Sequence, residues 1–267
     1  MINVVLKGNN YKVIEVDYQF PDSTEYTSFR FAIPKINNDN KAVVILSGGL
    51  DSTILTNLLH WSIKNPSDNL YALSFCYNQR HKVELEKASK TCELLNIKHK
   101  IIPIEFLSDI IENVSALSGN KKVDVPTMDE VKDNSQPITY VPFRNMLFLT
   151  LAASFAESND CKYILIGAQA GDLYGYWDCT SDFMDSFNNV LKLNRKHKIE
   201  LVAPFVNLSK AQEIIIGTNL NVDFSNTHTC YNGIDELGRS CGKCPTCTER
   251  LNNFAKVGIK DPIKYIE

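Results

Sequence analysis

Apolar and polar residues change their spacing near residue 40, and this change divides the chain into two patterns. Before it, YKVIEVDYQF and YTSFRFAI roughly alternate apolar with polar residues and are separated by PDSTE. Such alternation with an intervening turn is typical of a small β meander. We therefore place a boundary near residue 40, in the polar linker PKINNDNK.

Beyond the linker, the pattern predicts strands and helices in alternation. The strands are AVVIL, LYALSF, HKIIPI and YILIGA, and the helices are DSTILTNLLHWSIK, KVELEKASKTCELLN, RNMLFLTLAASFAES, SDFMDSFNNVLKL and LSKAQEIIIGTNL. This order favours an α/β fold with a doubly wound parallel sheet. Residues 107–139 interrupt it, and a long insert of this kind is usually a lid or a binding loop.

Composition and charge exclude several classes of protein. With 44% hydrophobic and 22% charged residues, the 267-residue chain can form a full core. A net charge of −3 argues against binding nucleic acid by bulk electrostatics, so we expect no direct contact with nucleic acid. The N-terminus lacks a signal-peptide pattern, and no apolar stretch approaches 18 residues. These features predict a cytoplasmic protein without membrane contact.

The stretch SGGLDS follows the apolar run AVVIL and therefore lies at the carboxyl end of the first core strand, where open α/β sheets bind ligands. Its glycines allow close approach of backbone N–H groups, and the next helix begins there with its positive dipole end, so the loop suits a phosphate. It has neither a Gly-Lys-Ser/Thr ending nor a third glycine of the dinucleotide type. Asp51 implies Mg²⁺ between it and the phosphates, or a role in fixing the loop. A plain strand–helix turn capped by Ser47 or Asp51 is the alternative.

Four cysteines are crowded near the C-terminus, with Cys230 followed after ten residues by Cys241, Cys244 and Cys247. Four thiolates close a tetrahedral Zn²⁺ shell with no open position, which describes a structural site. Disulfides and an iron–sulfur cluster are the alternatives. We expect backbone N–H groups of RSCGKCPTC to approach the sulfurs, and Lys243 and Arg250 to offset the charge.

Other candidates stand where predicted strands end or helices begin. Arg144 and Asn145 open an apolar helix, where a cation opposes the helix dipole, so Arg144 is expected to bind an anion. Asp172 and Asp178 flank LYGYW, and loop carboxylates beside aromatic rings suit a flat heterocycle with N–H donors. The alternative in each case is an ordinary surface residue. Further candidates at such ends are Gln79, Arg80, His81 and Lys210.

SGGLDS resembles the SGGxDS loop of the PP-loop ATP pyrophosphatases, which split ATP into AMP and pyrophosphate. YNQRHKVELEKA, TYVPFRN, GAQAGDLYGYWDC and THTCY with CGKCPTC follow in the order seen in one member family, the 7-cyano-7-deazaguanine synthases (QueC). The resemblance covers residues 41–256. It implies a Rossmann-like PP-loop domain at 41–225 between the β extension at 1–40 and a C-terminal zinc-binding helical segment at 226–267.

We assign site residues from these patterns and the resemblance together. Catalytic residues are Ser47, Asp51, Ser52 and Arg144. The ATP-binding set is Leu46, Ser47, Gly48, Gly49, Leu50, Asp51, Ser52, Tyr77, Gln79, Arg80 and Gly167. The substrate-binding set is Phe143, Arg144, Asn145, Asp172, Tyr176, Trp177, Asp178 and Lys210. The zinc ligands are Cys230, Cys241, Cys244 and Cys247.

The chemistry expected of such a site is the activation of a carboxylate. A carboxylate does not react with an amine at neutral pH because its leaving group is oxide, and adenylation makes that oxygen a good leaving group. The resemblance implies that the acid is 7-carboxy-7-deazaguanine. It also implies that the amide is adenylated a second time and that loss of AMP gives the nitrile.

Four positions depart from the family pattern. Asn78 and Phe143 replace glycine, Trp177 replaces proline and Thr180 replaces arginine. Phe143 and Trp177 are expected to line the pocket, where they either stack on the base or hinder the second adenylation. The departures leave open a ligase that joins the activated acid to an amine on a protein partner, docked through residues 1–40.

Two rival functions come from other classes: a PP-loop tRNA-modifying enzyme and a non-catalytic zinc-bearing adapter. The acidic pI of about 6.0 counts against the first, and release of pyrophosphate would exclude the second. For the main prediction we expect a homodimer that binds ATP and a small deazaguanine.

Overall fold

The computed structural model describes residues 1–7, 10–21, 23–24, 26–77, 83–111, 115, 137–169 and 175–266. The strands are β1 (Ile2–Lys7), β2 (Tyr11–Gln19), β3 (Tyr26–Pro34), β4 (Lys41–Ile45), β5 (Leu70–Cys76), β6 (Lys98–Pro103), β7 (Cys161–Leu165) and β8 (Glu200–Val202). The helices are α1 (Leu50–Ser62), α2 (Pro66–Asn69), α3 (Val83–Leu95), α4 (Phe106–Ile110), α5 (Arg144–Ser158), α6 (Ser181–Leu191), α7 (Lys210–Asn219) and α8 (Pro245–Val257).

The main sheet is parallel with strand order β6-β5-β4-β7-β8, which confirms the predicted doubly wound α/β fold. From β4 the chain adds β5 and β6 on one side and later returns to add β7 and β8 on the other. The direction in which strands are added therefore reverses between β4 and β7. In open α/β sheets, ligands bind at this position. The loops that follow β4 and β7 are brought together here.

The apolar patterns placed these elements closely, and α5 covers the predicted residues 144–158. Strand β8 escaped prediction because three residues are too few to show a period. In the C-terminal segment, α8 begins with Pro245 in its first turn, where the missing N–H costs no hydrogen bond. It ends at Val257, and Gly258 caps it with a φ of +76°.

Side chains of β4 alternate between two apolar cores, one on each face of the main sheet. Ala42 and Val44 face the core shared with α1, α7 and α8. Val43 and Ile45 face the core shared with α5 and α6. A strand covered on both faces is apolar throughout, which explains why AVVIL shows no period-two alternation.

The predicted meander is present as β2 and β3, which pair antiparallel with each other, while β1 adds a third strand. Their inward side chains join the first of the two cores, and the rings of Phe31 and Phe205 meet edge to face at 5.9 Å. Tyr18 donates a hydrogen bond to the carbonyl of Val257 in α8, and Lys12 donates to that of Ser62 at the end of α1. The sheet thus packs against the α/β layers, and the predicted boundary near residue 40 stays a prediction.

We expect Ile33→Ala to destabilise the whole chain, because Ile33 is fully buried in β3 within the core shared with α1 and α7. A large-to-small change at such a site costs about 2–5 kcal/mol. Urea unfolding followed by circular dichroism should show a single transition shifted to lower urea. Ala32→Ser, on the exposed face of the same strand, should change the free energy of unfolding by about 0.5 kcal/mol or less. An early separate transition in Ile33→Ala would show instead that residues 1–40 unfold on their own.

Candidate active site

The loop at residues 46–49 connects β4 to α1 and lies at the carboxyl end of the main sheet, as the sequence predicted. Its geometry is fixed by two hydroxyls. The hydroxyl oxygens of Ser47 and Ser52 are 2.9 Å apart, and the Ser52 hydroxyl oxygen accepts from the backbone N–H of Ser47 at 3.2 Å. The backbone N–H of Gly49 donates to the Ser47 hydroxyl oxygen at 3.1 Å. These contacts hold the loop closed on itself.

Gly48 is the position in the loop that requires glycine. Its φ is +87°, and an added Cβ would lie 2.1 Å from the backbone oxygen of Glu84 in α3. On its other side, the backbone N–H of His228 donates to the Gly48 carbonyl at 2.9 Å. The loop is therefore held between α3 and the segment that carries the cysteines.

Asp51 already has a cationic partner in the protein. The ammonium of Lys210, in the first turn of α7, lies 2.5 Å from a carboxylate oxygen of Asp51. Lys210 is only 8% exposed, and a buried ammonium requires such a partner. The two predictions thus meet in one ion pair. Lys210 lies beside the SGGLDS loop, whose residues we had assigned to ATP, although we had assigned Lys210 itself to the substrate.

Arg144 lies at the start of α5 and points into the same region. Its guanidinium donates to the hydroxyl of Tyr77 at 3.3 Å. Tyr176 reaches this region from the loop after β7, where its hydroxyl lies 2.6 Å from that of Thr139 and 3.2 Å from that of Tyr231. Side chains from four separate segments are brought together in this way.

Asp178 and Asn145 hold each other in place. The backbone N–H of Asn145 donates to the carboxylate of Asp178 at 3.3 Å, and its amide donates to the Asp178 carbonyl at 3.4 Å. Burial raises the pKa of Asp178 above its ordinary value. Asp178 is 2% exposed and caps the start of α5, so in the described structure its carboxylate serves the helix.

Phe143 and Trp177 lie on the outside of the site. Their side chains are 58% and 39% exposed, and their rings meet edge to face at 5.4 Å. Tyr140 links them, because its hydroxyl oxygen accepts from the backbone N–H of Phe143 and the indole N–H of Trp177. Phe143 has a φ of +54°, which explains why glycine is favoured at this position. Nothing in the described residues supports the expectation that these two aromatics line the pocket.

A cavity of about 280 Å³ joins these parts. It is bounded by the SGGLDS loop, by Arg144 and Tyr77, and by the cysteine-bearing segment through Cys230. Predicted residues that line it are Leu46, Ser47, Gly49, Leu50, Asp51, Ser52, Tyr77, Arg144, Asn145, Gly167, Tyr176, Lys210 and Cys230. Gly167 is tightly packed, since an added Cβ would lie 3.1 Å from the backbone of Asp51 and Ser52.

Several predicted residues cannot be placed, and several lining residues were not predicted. Gln79, Arg80, His81, Asn78 and Asp172, with most of the insert at 107–139, lie outside the described residues. The cavity is also lined by Glu84, Thr139, His228, Tyr231 and Glu249. Glu84 and His228 stand inside sequence motifs, but only the packing of α3 and the cysteine segment against the loop directs them to the cavity.

Two of the unpredicted residues are carboxylates with altered acidity. Burial raises the pKa of Glu84 to about 7, although the charge of Arg144 partly opposes this. Burial also raises the pKa of Glu249, against the effect of the Lys210 charge. A pair of tuned acids inside a cavity is a common feature of enzyme active sites.

The four predicted cysteines form one cluster, with all sulfurs within 4.8 Å of one another. A tetrahedral centre with metal–sulfur bonds of about 2.3 Å needs sulfurs about 3.8 Å apart, so the cluster could hold a metal ion. All four are free thiols, which contradicts the disulfide alternative. Backbone N–H groups of Cys241, Lys243 and Cys244 approach cluster sulfurs at 3.3–3.5 Å, as expected.

Arg250 does not play the role that we expected of it. Its guanidinium forms two hydrogen bonds to the carboxylate of Asp261, at 2.7 and 3.0 Å, and is 1% exposed. It also donates to the hydroxyls of Thr227 and Thr229. The expectation that Arg250 offsets thiolate charge is therefore wrong, because its charge is matched by Asp261.

For Mg²⁺ the donor set is smaller. Within the described chain, the cysteines form the one group of three or more potential ligand side chains close enough to share a metal ion. Mg²⁺ in nucleotide sites is usually held by one or two carboxylates together with substrate phosphates. The partly exposed carboxylate of Asp51 fits that mode of binding.

The chain is similar to proteins of one known family. A family model described as "Queuosine biosynthesis protein QueC" matches residues 41–258. A 7-cyano-7-deazaguanine synthase from Caldicellulosiruptor saccharolyticus is 44% identical over 84% of this chain and 95% of its own length. Proteins of the same name from Marinomonas sp. and Caldicellulosiruptor bescii are 39% and 41% identical, over 84% of this chain and 98% and 97% of their lengths.

None of the helices in the described ranges has the length and apolar character needed to cross a membrane.

We expect Gly48→Ala to destabilise the protein by at least about 2 kcal/mol, because the positive φ alone costs about 1–3 kcal/mol. The Glu84 carbonyl adds a backbone clash. Gly49→Ala is the matched control. Gly49 has a φ of −74°, and an added Cβ would meet its nearest neighbour at 3.2 Å, so the cost should stay below about 1 kcal/mol. Equal losses in urea unfolding would contradict the packing of the loop against α3.

Metal analysis of the purified chain should give about one metal ion per chain, and Cys244→Ser should lower this content. A metal at about 1,000 times its Kd contributes about 4 kcal/mol, and about 1 kcal/mol shifts Tm by about 2–4 °C in chains of this size. We therefore expect Tm to fall by about 8 °C or more. Cys76→Ser, outside the cluster, should keep the metal and the Tm. A wild-type protein that is purified without metal, and whose Tm equals that of Cys244→Ser, would refute the site.

Proposed function

The chain belongs to the QueC family, and on that premise we propose that it is an ATP-dependent C–N ligase that converts 7-carboxy-7-deazaguanine into 7-cyano-7-deazaguanine. The family model spans residues 41–258, and relatives with that product in their name are about 40% identical. The observation that carries the proposal is the cavity in which the SGGLDS loop, Arg144 and the cysteine segment meet. A cavity lined in this way suits a nucleotide beside a second small molecule.

In the proposed reaction, the substrate carboxylate attacks the α-phosphorus of ATP, and pyrophosphate leaves. Ammonia then attacks the acyl adenylate and displaces AMP to give the amide. The amide oxygen is adenylated in turn, and loss of AMP gives the nitrile. The enzyme contributes by holding the reactants in line and by stabilising the charge that develops on phosphate oxygens.

We assign the phosphate contacts to the ATP loop and two cations. Ser47, Gly49 and Ser52 line the cavity at the positive end of α1, and we assign the phosphate contacts there to the two serine hydroxyls and this helix end. Lys210 stands beside this loop and Arg144 stands across the cavity, so each can approach a phosphate. When ATP binds, the ammonium of Lys210 is shared between Asp51 and the phosphate oxygens.

Two metal ions belong to this proposal. We propose Zn²⁺ in the cysteine cluster, where four thiolates leave no open position and give it a structural role. We propose Mg²⁺ with ATP, where it would neutralise the departing pyrophosphate while Asp51 supplies a ligand. Iron with a visible chromophore in place of zinc would overturn the first assignment.

The partners and place of action are proposals as well. We propose a homodimer, a free deazaguanine rather than RNA as substrate, and a cytoplasmic reaction that draws on the ATP pool. The net charge of −3 supports a small-molecule substrate. A protein partner docked on residues 1–40 is retained only as an outcome of the test below, because Phe143 and Trp177 lie outside the lining of the cavity.

The proposed function is tested by mass spectrometry of products from ATP, 7-carboxy-7-deazaguanine and ammonium. We expect the nitrile, with two AMP and two pyrophosphate released for each molecule formed. Asp51→Asn should abolish pyrophosphate release while the circular dichroism spectrum is retained, because the change removes the charge that pairs with Lys210. An amide as the final product with one AMP, or a protein of increased mass, would overturn the nitrile in favour of acyl transfer. ATP cleavage unchanged in Asp51→Asn would overturn the phosphate assignment.

A further inference from the structure

Glu84 is a carboxylate of the cavity to which the proposed function gives no task. It lies in the first turn of α3 and lines the cavity together with Tyr77 and Arg144. Its backbone oxygen is packed against Gly48, as the 2.1 Å approach to an added Cβ shows. Because the main chain at Glu84 is fixed against the ATP loop, its side chain is anchored close to where the phosphates are proposed to bind.

No neighbour within the described ranges binds the Glu84 carboxylate. Among the described residues, no hydrogen bond or ion pair to this carboxylate meets ordinary distance criteria, and the charge of Arg144 acts on it from a greater distance. Burial raises its pKa to about 7. A half-buried carboxylate destabilises the fold when it is ionised. Such a cost is common where a group is needed for chemistry.

The other carboxylates nearby are already occupied. Asp51 forms an ion pair with Lys210, and Asp178 accepts from the backbone N–H of Asn145 and does not line the cavity. Glu249 lies close to the Lys210–Asp51 pair and forms a hydrogen bond with Gln169. Glu84 is thus the lining carboxylate, within the described chain, that is free to exchange a proton with a bound molecule.

We propose that Glu84 is the general base that takes a proton from bound ammonium, so that ammonia can attack the acyl adenylate. The inference rests on the proposed function and adds a catalytic residue to it. Ammonium is almost entirely protonated at neutral pH and has no lone pair with which to attack. The cavity therefore needs a proton acceptor beside the nucleophile, and a base is most effective when its pKa lies near the working pH.

The step balances as follows. The Glu84 carboxylate accepts one proton from ammonium and becomes a neutral acid. The nitrogen lone pair forms the C–N bond, and the electrons of the C–O bond leave with the phosphate oxygen of AMP. The nitrogen then loses its second proton to water, and Glu84 releases its own proton to solvent before the next turnover.

Charged and titratable groups around Glu84 are consistent with a mobile proton on it. Burial favours the neutral form of the Glu84 carboxyl, Arg144 of α5 favours the ionised form, and the buried Tyr77, after β5, interacts with the Glu84 charge. The remaining titratable or charged side chains that line the cavity are Asp51 of α1, Lys210 of α7, Glu249 and Arg250 of α8, Tyr176, Cys179, His228, Cys230 and Tyr231.

The variant Glu84→Gln tests the proposal, because adenylation and attack by the amine can be measured separately in it. Exchange of labelled pyrophosphate into ATP, dependent on 7-carboxy-7-deazaguanine, reports adenylation alone and should stay within about twofold of the wild type. Turnover with ammonium should fall about 100-fold, the usual contribution of a general base. Hydroxylamine is unprotonated at neutral pH and needs no base, so hydroxamate formation should stay close to the wild-type rate. Glu86→Gln, exposed in the same helix, should leave all three rates unchanged.

A pH profile gives an independent readout. With ammonium, the wild-type rate should rise tenfold per pH unit below the pKa of Glu84, about 7, and level off above it. In Glu84→Gln the low rate should keep rising with free ammonia through pH 8. A level region that persists in the variant would overturn the proposal.

Stability distinguishes this role from a structural one. The folded-state pKa of Glu84 is raised, so its ionisation weakens the fold as pH rises from the unfolded value toward about 7. Glu84→Gln should therefore have a Tm at pH 8 equal to or above that of the wild type. A lower Tm, or equal loss of exchange and of both amine reactions, would show that Glu84 supports the loop or ATP and would overturn the base role. Absence of exchange in the wild type would overturn the proposed function itself.

Discussion

The backbone at Gly48 is held by contacts on two sides, and the arrangement of the cavity depends on this constraint. The first turn of α3 presses its carbonyl at Glu84 against one side, and His228 binds the Gly48 carbonyl on the other. A loop held between two segments keeps its amides in one orientation before any ligand arrives. Preorganisation of this kind lowers the cost of reorganising dipoles during phosphate chemistry.

The same contact makes the cysteine segment part of the nucleotide site. His228 lies two residues before Cys230, which lines the cavity, and the ring nitrogen of His228 is 2.9 Å from the Cys230 carbonyl. The base of the segment is fixed by the buried Arg250–Asp261 pair. Removing one partner of such a pair leaves an uncompensated buried charge, so α8 and the chain end are held together firmly. A metal in the cluster would thus order a wall of the cavity.

The cavity is lined by charges of both signs. Lys210 lies on Asp51 at one end, while Arg144 and Glu84 face the space from α5 and α3. The cavity consequently offers cations for phosphate groups and a carboxylate with a pKa of about 7 for proton transfer. A protein with a net charge of −3 can therefore bind polyanions through local placement of charge.

The sequence by itself determined the α/β class, the limits of α5, the loop at Ser47–Ser52 and the cysteine cluster. Each of these depends on local spacing: apolar periodicity fixes helices and strands, and a short ligand spacing brings sulfurs together. Only the tertiary structure decided that Lys210 pairs with Asp51 across 159 positions, that Arg250 is matched by Asp261, and that Glu84 opens into the cavity. It also placed Phe143 and Trp177 on the exterior and added β8 at the sheet edge. These outcomes depend on which surfaces meet when the layers pack. The periodicity of one segment does not show which residues of another segment will contact it.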